Sequence, residues 1–264
     1  MLENVDLSKK LGKAAYRQAL PQLQAQLHRL QRACWEQGLG SLVVIEGWEG
    51  AGKAAAITKL TERLEPRGFA IHSARAARTQ EQLMPWLWRF WRRLPAYGQM
   101  AIFNRSWYRR VLVERVEQQV PEAQWRQAYR HIVNFERALA DDRYVLVKLF
   151  LHLDRREQKK RLKALERDPG TSWRLEQEDW EQNRKYDAYL QASEEMLEQT
   201  ETEWGPWTIL AATDQRWTRA QVFTTLRDRL ADGLRRHGLP LPEYDQPVAH
   251  HRGEADDEAL LPEH

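Results

Sequence analysis

Between residues 47 and 53 the chain reads Gly47-Trp48-Glu49-Gly50-Ala51-Gly52-Lys53, a spacing of glycines and lysine that performs phosphate chemistry. In the pattern G-x-x-x-x-G-K-[ST], the glycines let consecutive backbone N–H groups converge on phosphate oxygens. The lysine reaches the terminal phosphates, and the hydroxyl residue after it holds Mg²⁺. Gly47, Gly52 and Lys53 fit, with Gly50 between them, but Ala54 occupies the hydroxyl position. The signal is therefore strong for phosphate and weak for metal.

Phosphoryl transfer also calls for an acidic residue at the end of a neighbouring strand, where it holds Mg²⁺ against the phosphates. The matching strand end is Phe103-Asn104-Arg105-Ser106-Trp107-Tyr108, so Asn104 stands where the carboxylate is expected. An amide oxygen accepts but carries no charge, and it binds a divalent ion more weakly. Glu49 and Ser106 are the candidate replacements. Arg105, one residue on, suits bidentate contact with phosphate oxygens. The catalytic candidates are Lys53, Arg105, Glu49 and Asn104. Glu49 and Asn104 are also the weak candidates for holding Mg²⁺, or Mn²⁺ in its place.

These residues need strands to carry them. Leu42-Val43-Val44-Ile45 before the loop suits a buried parallel strand, and Lys53 to Leu64 suits a helix whose N-terminus attracts anions. Further strands are expected at Phe69–Ala74, Gln99–Asn104, Tyr144–Leu151 and Trp207–Ala212. Helices are expected at residues 20–34, 80–94, 107–118, 122–139, 155–166, 176–201 and 216–235. Five strands alternating with helices predict an α/β fold with a parallel five-stranded sheet covered on both faces. The apolar stripe Leu20, Leu23, Leu27, Leu30, Cys34 belongs to an amphipathic N-terminal helix that packs on the domain or meets a second copy.

Positive charge gathers in three stretches. Residues 67–93 hold six arginines, from Arg67 to Arg93, against Glu81 alone; residues 105–115 hold Arg105, Arg109, Arg110 and Arg115 against Glu114. Residues 155–174 hold eight bases, Arg161, Arg167 and Arg174 among them, against three acids, just around the Asp168-Pro169-Gly170 break. Such a run before a break suits a lid over phosphates, and convergence of the three predicts a channel for a long polyanion.

The net charge of +3 conceals a division, because residues 243–264 hold seven acids against Arg252 alone and so carry −6. The remaining +9 suits a polyanionic partner without choosing among DNA, RNA, anionic lipid and smaller phosphates. Disorder is expected from residue 239 on, where prolines, acids and His250-His251 leave little to bury. The single cysteine, Cys34, excludes an intramolecular disulfide and suits a cytoplasmic location. No apolar run approaches the roughly 20 residues that cross a bilayer, so no membrane partner is expected.

Taken together, Ile45-Glu46-Gly47-Trp48-Glu49-Gly50-Ala51-Gly52-Lys53, Leu64-Glu65-Pro66-Arg67-Gly68 and Ile102-Phe103-Asn104-Arg105-Ser106-Trp107-Tyr108 resemble the polyphosphate kinase type 2 family. Val113-Glu114-Arg115-Val116, Val133-Asn134-Phe135-Glu136, Val145-Leu146-Val147-Lys148 and Pro206-Trp207 extend the resemblance in order from about residue 10 to 235. It implies a three-layer P-loop kinase-like domain at 41–238 with a lid at about 155–176, an N-terminal helical extension at 1–40 and an acidic tail at 239–264. It also implies reversible phosphoryl transfer between inorganic polyphosphate and a nucleoside mono- or diphosphate, with Mg²⁺. Loop glycines Gly47, Gly50 and Gly52, Lys53, Arg67 and Arg115 would then bind phosphate, and Arg161, Arg167 and Arg174 would serve the lid. No nucleic acid is expected as partner, and a homo-oligomer is, with the N-terminal helix as its surface.

The chain departs from the family pattern where metal is handled. The family usually has Asp at positions 49 and 104, Gly or another small residue and then Gly or Thr at Ala54-Ala55, and a base where Thr171 and Ser172 stand. The alternative expectation is accordingly a catalytically impaired member that binds polyphosphate or nucleotide in a regulatory role.

Overall fold

The computed structural model describes residues 1–170 and 172–243, without the side chain of Arg174. The predicted acidic tail beyond residue 243, Thr171 and the lid candidate Arg174's side chain thus lie outside the described residues. Five strands, β1 (Gly40–Gly47), β2 (Phe69–Ser73), β3 (Met100–Asn104), β4 (Tyr144–His152) and β5 (Trp207–Ala211), form one parallel sheet in the order β2-β3-β1-β4-β5. The predicted α/β class and strand number are both present.

Strand β1 is central and its Leu42, Val43, Val44 and Ile45 are fully buried, as a strand covered on both faces must be. The covering layers follow from the two-residue period of β4. Val145 faces α10 (Gln215–Arg236), where the absent side chain of Gly233 leaves room for the Val145 methyl. Lys148 faces α6 (Glu122–Asp141) on the other side. Helices α1 (Lys13–Glu36) and α2 (Lys53–Thr61) pack with α10. Leu23, Leu27, Leu30 and Cys34 of α1 are buried in the core, so the stripe is covered within the protomer and is not left for a second copy. Helix α1 also starts earlier than its stripe indicated, with Pro21 inside it.

Three helical expectations are corrected. Residues 80–94 form only two single-turn helices, α3 (Thr79–Gln82) and α4 (Trp88–Trp91), because Pro85 lacks an N–H and disfavours helical geometry at Met84. Residues 107–118 divide into a 3₁₀ turn (Trp107–Arg110) and α5 (Val113–Val116). The segment 176–201 divides at Lys185 into α8 (Gln177–Arg184) and α9 (Tyr186–Gln199). The remaining helix, α7 (Arg155–Arg167), is capped by the Asp154 side chain accepting the Glu157 N–H at 2.7 Å. Among the described residues no helix is long and apolar enough to cross a membrane.

Candidate functional site

The loop leaves the C-terminal end of β1, the central strand, and runs into α2, so anything it binds sits at the carboxyl edge of the sheet. Gly47 has φ 123° and a Cβ there would lie 2.3 Å from the Leu151 carbonyl oxygen; no other residue permits this approach. Gly50 and Gly52 also have positive φ, of 77° and 90°. Trp48 anchors the loop from below: it is buried, stacks on Tyr186 at 4.1 Å and donates its indole N–H to His152 Nδ1 at 2.9 Å. From above, Arg161 of α7 donates to the Gly50 carbonyl at 3.1 Å and to the Thr213 carbonyl at 2.6 Å. That predicted lid residue is therefore docked on the loop itself.

Lys53 is 5% exposed and folded back into the loop. Its ammonium donates to the carbonyls of Gly47 (2.9 Å) and Trp48 (3.0 Å) and to Glu49 Oε1 (2.8 Å). The same Glu49 oxygen accepts from Arg105, 3.0 Å from Nε and 2.8 Å from Nη2. Burial raises the Glu49 carboxyl, but the charges of Arg105 and Lys53 and their hydrogen bonds outweigh it and hold the group at about 2. Glu49's charge raises Arg105 in turn. Arg105 has φ 60°, a left-handed conformation that a non-glycine residue holds only when its surroundings fix it. Beside them Glu46 is buried, accepts from the Ser106 hydroxyl at 2.7 Å, and is raised by burial.

Asn104 ends β3 opposite Ile45, one residue before Glu46. Its Oδ1 is buried and has no hydrogen-bond partner among the described residues, an orphaned acceptor at the edge of a phosphate cradle. No group of three His, Cys, Asp or Glu side chains among the described residues makes a metal cage. Glu49 Oε1 is engaged by Lys53 and Arg105, whereas the Asn104 amide oxygen is unpartnered among the described residues; a Mg²⁺ at that oxygen would fill its remaining positions with water and substrate phosphate.

Two features went unread in the sequence. Arg109, noted there only as part of a basic stretch, is 5% exposed and lines both a small recess of about 30 Å³ over the loop and a neighbouring cavity of about 430 Å³. The cavity's other walls include Arg89, Arg110, Trp86, Phe90 and Trp107. The Nε atoms of Arg89 and Arg109 are buried with no hydrogen-bond partner among the described residues, while their terminal nitrogens pair with acids, Arg89 with Glu81 at 3.5 Å and Arg109 with Glu178 at 2.7 Å. Helix α8 is the second: Glu178 and Asp179 take hydrogen bonds from Arg105 and Arg109. An acidic pair in a first turn reads from sequence as an ordinary cap.

Not every predicted binding residue converges. Arg67 precedes β2, at the end of the sheet opposite the loop; it is exposed, pairs with Glu65 at 2.7 Å and lies over Trp35. Arg115 on α5 is held by Glu195 and Tyr129 and lies 4.0 Å over the Trp125 ring, away from the loop recess. Arg167 is exposed at the end of α7.

The polyphosphate kinase 2 family model matches residues 10–237. A polyphosphate:AMP phosphotransferase of Pseudomonas aeruginosa is 39% identical over 230 residues, covering 87% of this chain and 46% of the relative. An AMP/ADP-polyphosphate phosphotransferase of Meiothermus ruber is 34% identical over 233 residues, covering 88% and 86%. The crystal structure of a polyphosphate kinase 2 from Arthrobacter aurescens TC1 superposes with a TM-score of 0.85 at 28% identity, over 94% of this chain and 90% of that one. The chain spans about half the length of the Pseudomonas polyphosphate:AMP phosphotransferases it matches.

Proposed function

Because this chain belongs to the polyphosphate kinase 2 family, we propose that it transfers a phosphoryl group from inorganic polyphosphate to a nucleotide, with AMP as the first acceptor. Relatives at 38–39% identity are named for AMP, and others at 30–34% for AMP/ADP, ADP or GDP. The observation that carries the reading is Arg109, which lines both the phosphate loop's recess and the 430 Å³ cavity. A donor chain on the loop and an acceptor in the cavity then share one buried guanidinium at their junction.

The loop amides and Lys53 hold the terminal phosphates of the chain. The acceptor's aromatic base packs against Trp86, a half-buried ring of the cavity wall, and its phosphate faces Arg89 and Arg109. An oxygen of the acceptor phosphate bonds to the terminal phosphorus as the bridging P–O bond breaks, leaving the chain one phosphate shorter. Charge on the transferring group is met by Lys53, Arg105 and Arg109, and no covalent enzyme intermediate is needed. Asn104 and Glu49 would hold Mg²⁺, with water and phosphate completing its shell, and the bound ion would supply charge neutralisation on the phosphates. Buried Cys34, whose thiol burial pushes up to about 12, fits a reducing cytoplasm and takes no part. Polyphosphate should outcompete single-stranded DNA at equal salt. A homo-oligomer would have to use surface other than the α1 stripe, and sedimentation measures it.

The test is incubation with long-chain polyphosphate, Mg²⁺ and AMP or ADP, beside an Asn104→Asp variant. New ADP or ATP from the unmodified chain supports the reading and names the acceptor. Turnover by the variant alone supports the second reading, an impaired member with a regulatory binding role, which the neutral Asn104 favours.

A further inference from the structure

Helix α8 offers acceptors to the very donors a phosphate chain needs. Gln182 Oε1 accepts the Glu49 backbone N–H, a loop amide, at 2.7 Å. Glu178 accepts both terminal nitrogens of Arg109, at 2.7 and 3.1 Å, and Arg105 Nη1 at 3.5 Å. Asp179 Oδ1 accepts Arg105 Nη2 at 3.0 Å. With these contacts made, the recess over the loop keeps only about 30 Å³, room for a water or two.

We propose that α8 is an internal stand-in for phosphate, displaced by polyphosphate, and that its release is a cost only a ligand with enough phosphates exceeds, so that chains bind and single phosphates do not. The inference rests on the reading that the loop binds polyphosphate. Two carboxylates and an amide fixed on one short helix engage a loop N–H and two guanidiniums together, so each contact raises the effective concentration of the others. Orthophosphate or pyrophosphate replaces some of these acceptors and leaves the rest competing. A chain carries acceptor oxygens at every phosphate and replaces all of them at once. The helix is built to move as a unit. Its reciprocal cap, in which Glu176 and Asp179 bond to each other's backbone N–H, holds its own first turn, and the break at Lys185 separates it from α9. The contacts of its Gln182 and Asn183 to Gln158 tie it to α7, which already lies on the loop.

Calorimetry with tripolyphosphate and with long-chain polyphosphate, without nucleotide, tests this on the unmodified chain and on Glu178→Gln and Gln182→Ala. Glu178→Gln is expected to bind long-chain polyphosphate about ten-fold tighter, the effect of losing one charge-assisted competitor, because a chain that displaces α8 bears the whole of its release, with tripolyphosphate gaining no more than that. Gln182→Ala should move the same way by less. Unchanged or weaker long-chain binding in both variants, at unchanged melting temperature, overturns the proposal, as does a gain for tripolyphosphate with none for the long chain. Hydrogen exchange gives a second readout: the amides of residues 177–184 should exchange faster with long-chain polyphosphate bound, and slower exchange there overturns displacement. Tighter long-chain binding by the variants in a protein that phosphorylates no nucleotide would sink the kinase reading and leave this one standing. No binding of either phosphate to any of the proteins overturns both.

Discussion

Two buried lysines, Lys53 and Lys148, carry the same chemistry to different ends. Each is at most 5% exposed, each pairs with a glutamate, and each donates to backbone carbonyls. Lys148 lies under the sheet, 2.9 Å from Glu136 and 2.7 Å from the Thr200 carbonyl, with Trp107 and Tyr108 donating to the same glutamate. All of its partners are buried. Lys53 meets loop carbonyls and a glutamate that Arg105 shares, beside a recess that has the Arg109 wall in common with the larger cavity. A buried ion pair whose partners are all enclosed holds structure, whereas one whose partners can be exchanged for a ligand holds a place for that ligand. The inner pair also serves the outer one, because Trp107 and Tyr108 directly follow Arg105 and Ser106.

Replacing each lysine by methionine separates the two roles most sharply. Lys53→Met should lower phosphoryl transfer by about 10³-fold, the loss of a preorganised charge at the transferring group, with the melting temperature moved by only a few degrees. Lys148→Met should instead destabilise the fold by about 3–5 kcal/mol, because Glu136 is left as an uncompensated buried charge, while the protein that stays folded retains its KM for polyphosphate. Adding Glu136→Gln should recover much of that loss in a double-mutant cycle. Thermal and urea unfolding beside steady-state kinetics measure all of these. A Lys53 variant that unfolds, or a stable Lys148 variant that loses turnover, would erase the distinction.

The acid side of the comparison is measurable too. Glu49 ionises at about 2 in the folded chain against 4.5 ordinarily. Its folded value is depressed, so its stabilisation is fully present above about pH 4.5 and is lost as pH falls toward 2. That amounts to on the order of 3 kcal/mol. Glu49→Gln should remove this part of the acid-unfolding slope, so that the difference in unfolding free energy between variant and parent shrinks from pH 5 to pH 2.

How much of this was legible from the sequence depends on the range of the interactions. The loop was readable because its chemistry is local: Gly47, Gly52 and Lys53 have the spacing their backbone roles require. The strands were readable because a central parallel strand must be apolar on both faces, and Leu42 to Ile45 are. The helix expected over 80–94 fails at Pro85, a local breaker that the sequence itself carries. Glu178, Asp179 and Arg109 lay outside reach for a different reason. Their meaning comes from pairing across 69 to 74 positions, and a helix N-terminus explains acidic residues without any partner. Arg67 was misplaced by the same limit: a basic residue in a phosphate-binding chain does not announce at which end of the sheet it stands.

The smallest expected effect belongs to Glu46, the carboxyl between the two regions. It follows Ile45 on β1, takes the Ser106 hydroxyl at 2.7 Å and is buried, and burial raises it despite Lys53 and Arg105 nearby. Its folded value therefore lies above its unfolded one, opposite to Glu49, and the folded state loses stability as pH rises from about 4.5 through the raised value. Glu46→Gln keeps an oxygen for Ser106 and removes the charge. The variant should flatten that part of the pH profile and raise the melting temperature at pH 8 relative to pH 5 by no more than about 2–4 °C. A variant whose melting profile between pH 5 and 8 parallels that of the parent would mean that Glu46 titrates like an exposed carboxyl. It would then belong with the exchangeable contacts of Lys53 and not with the enclosed ones of Lys148.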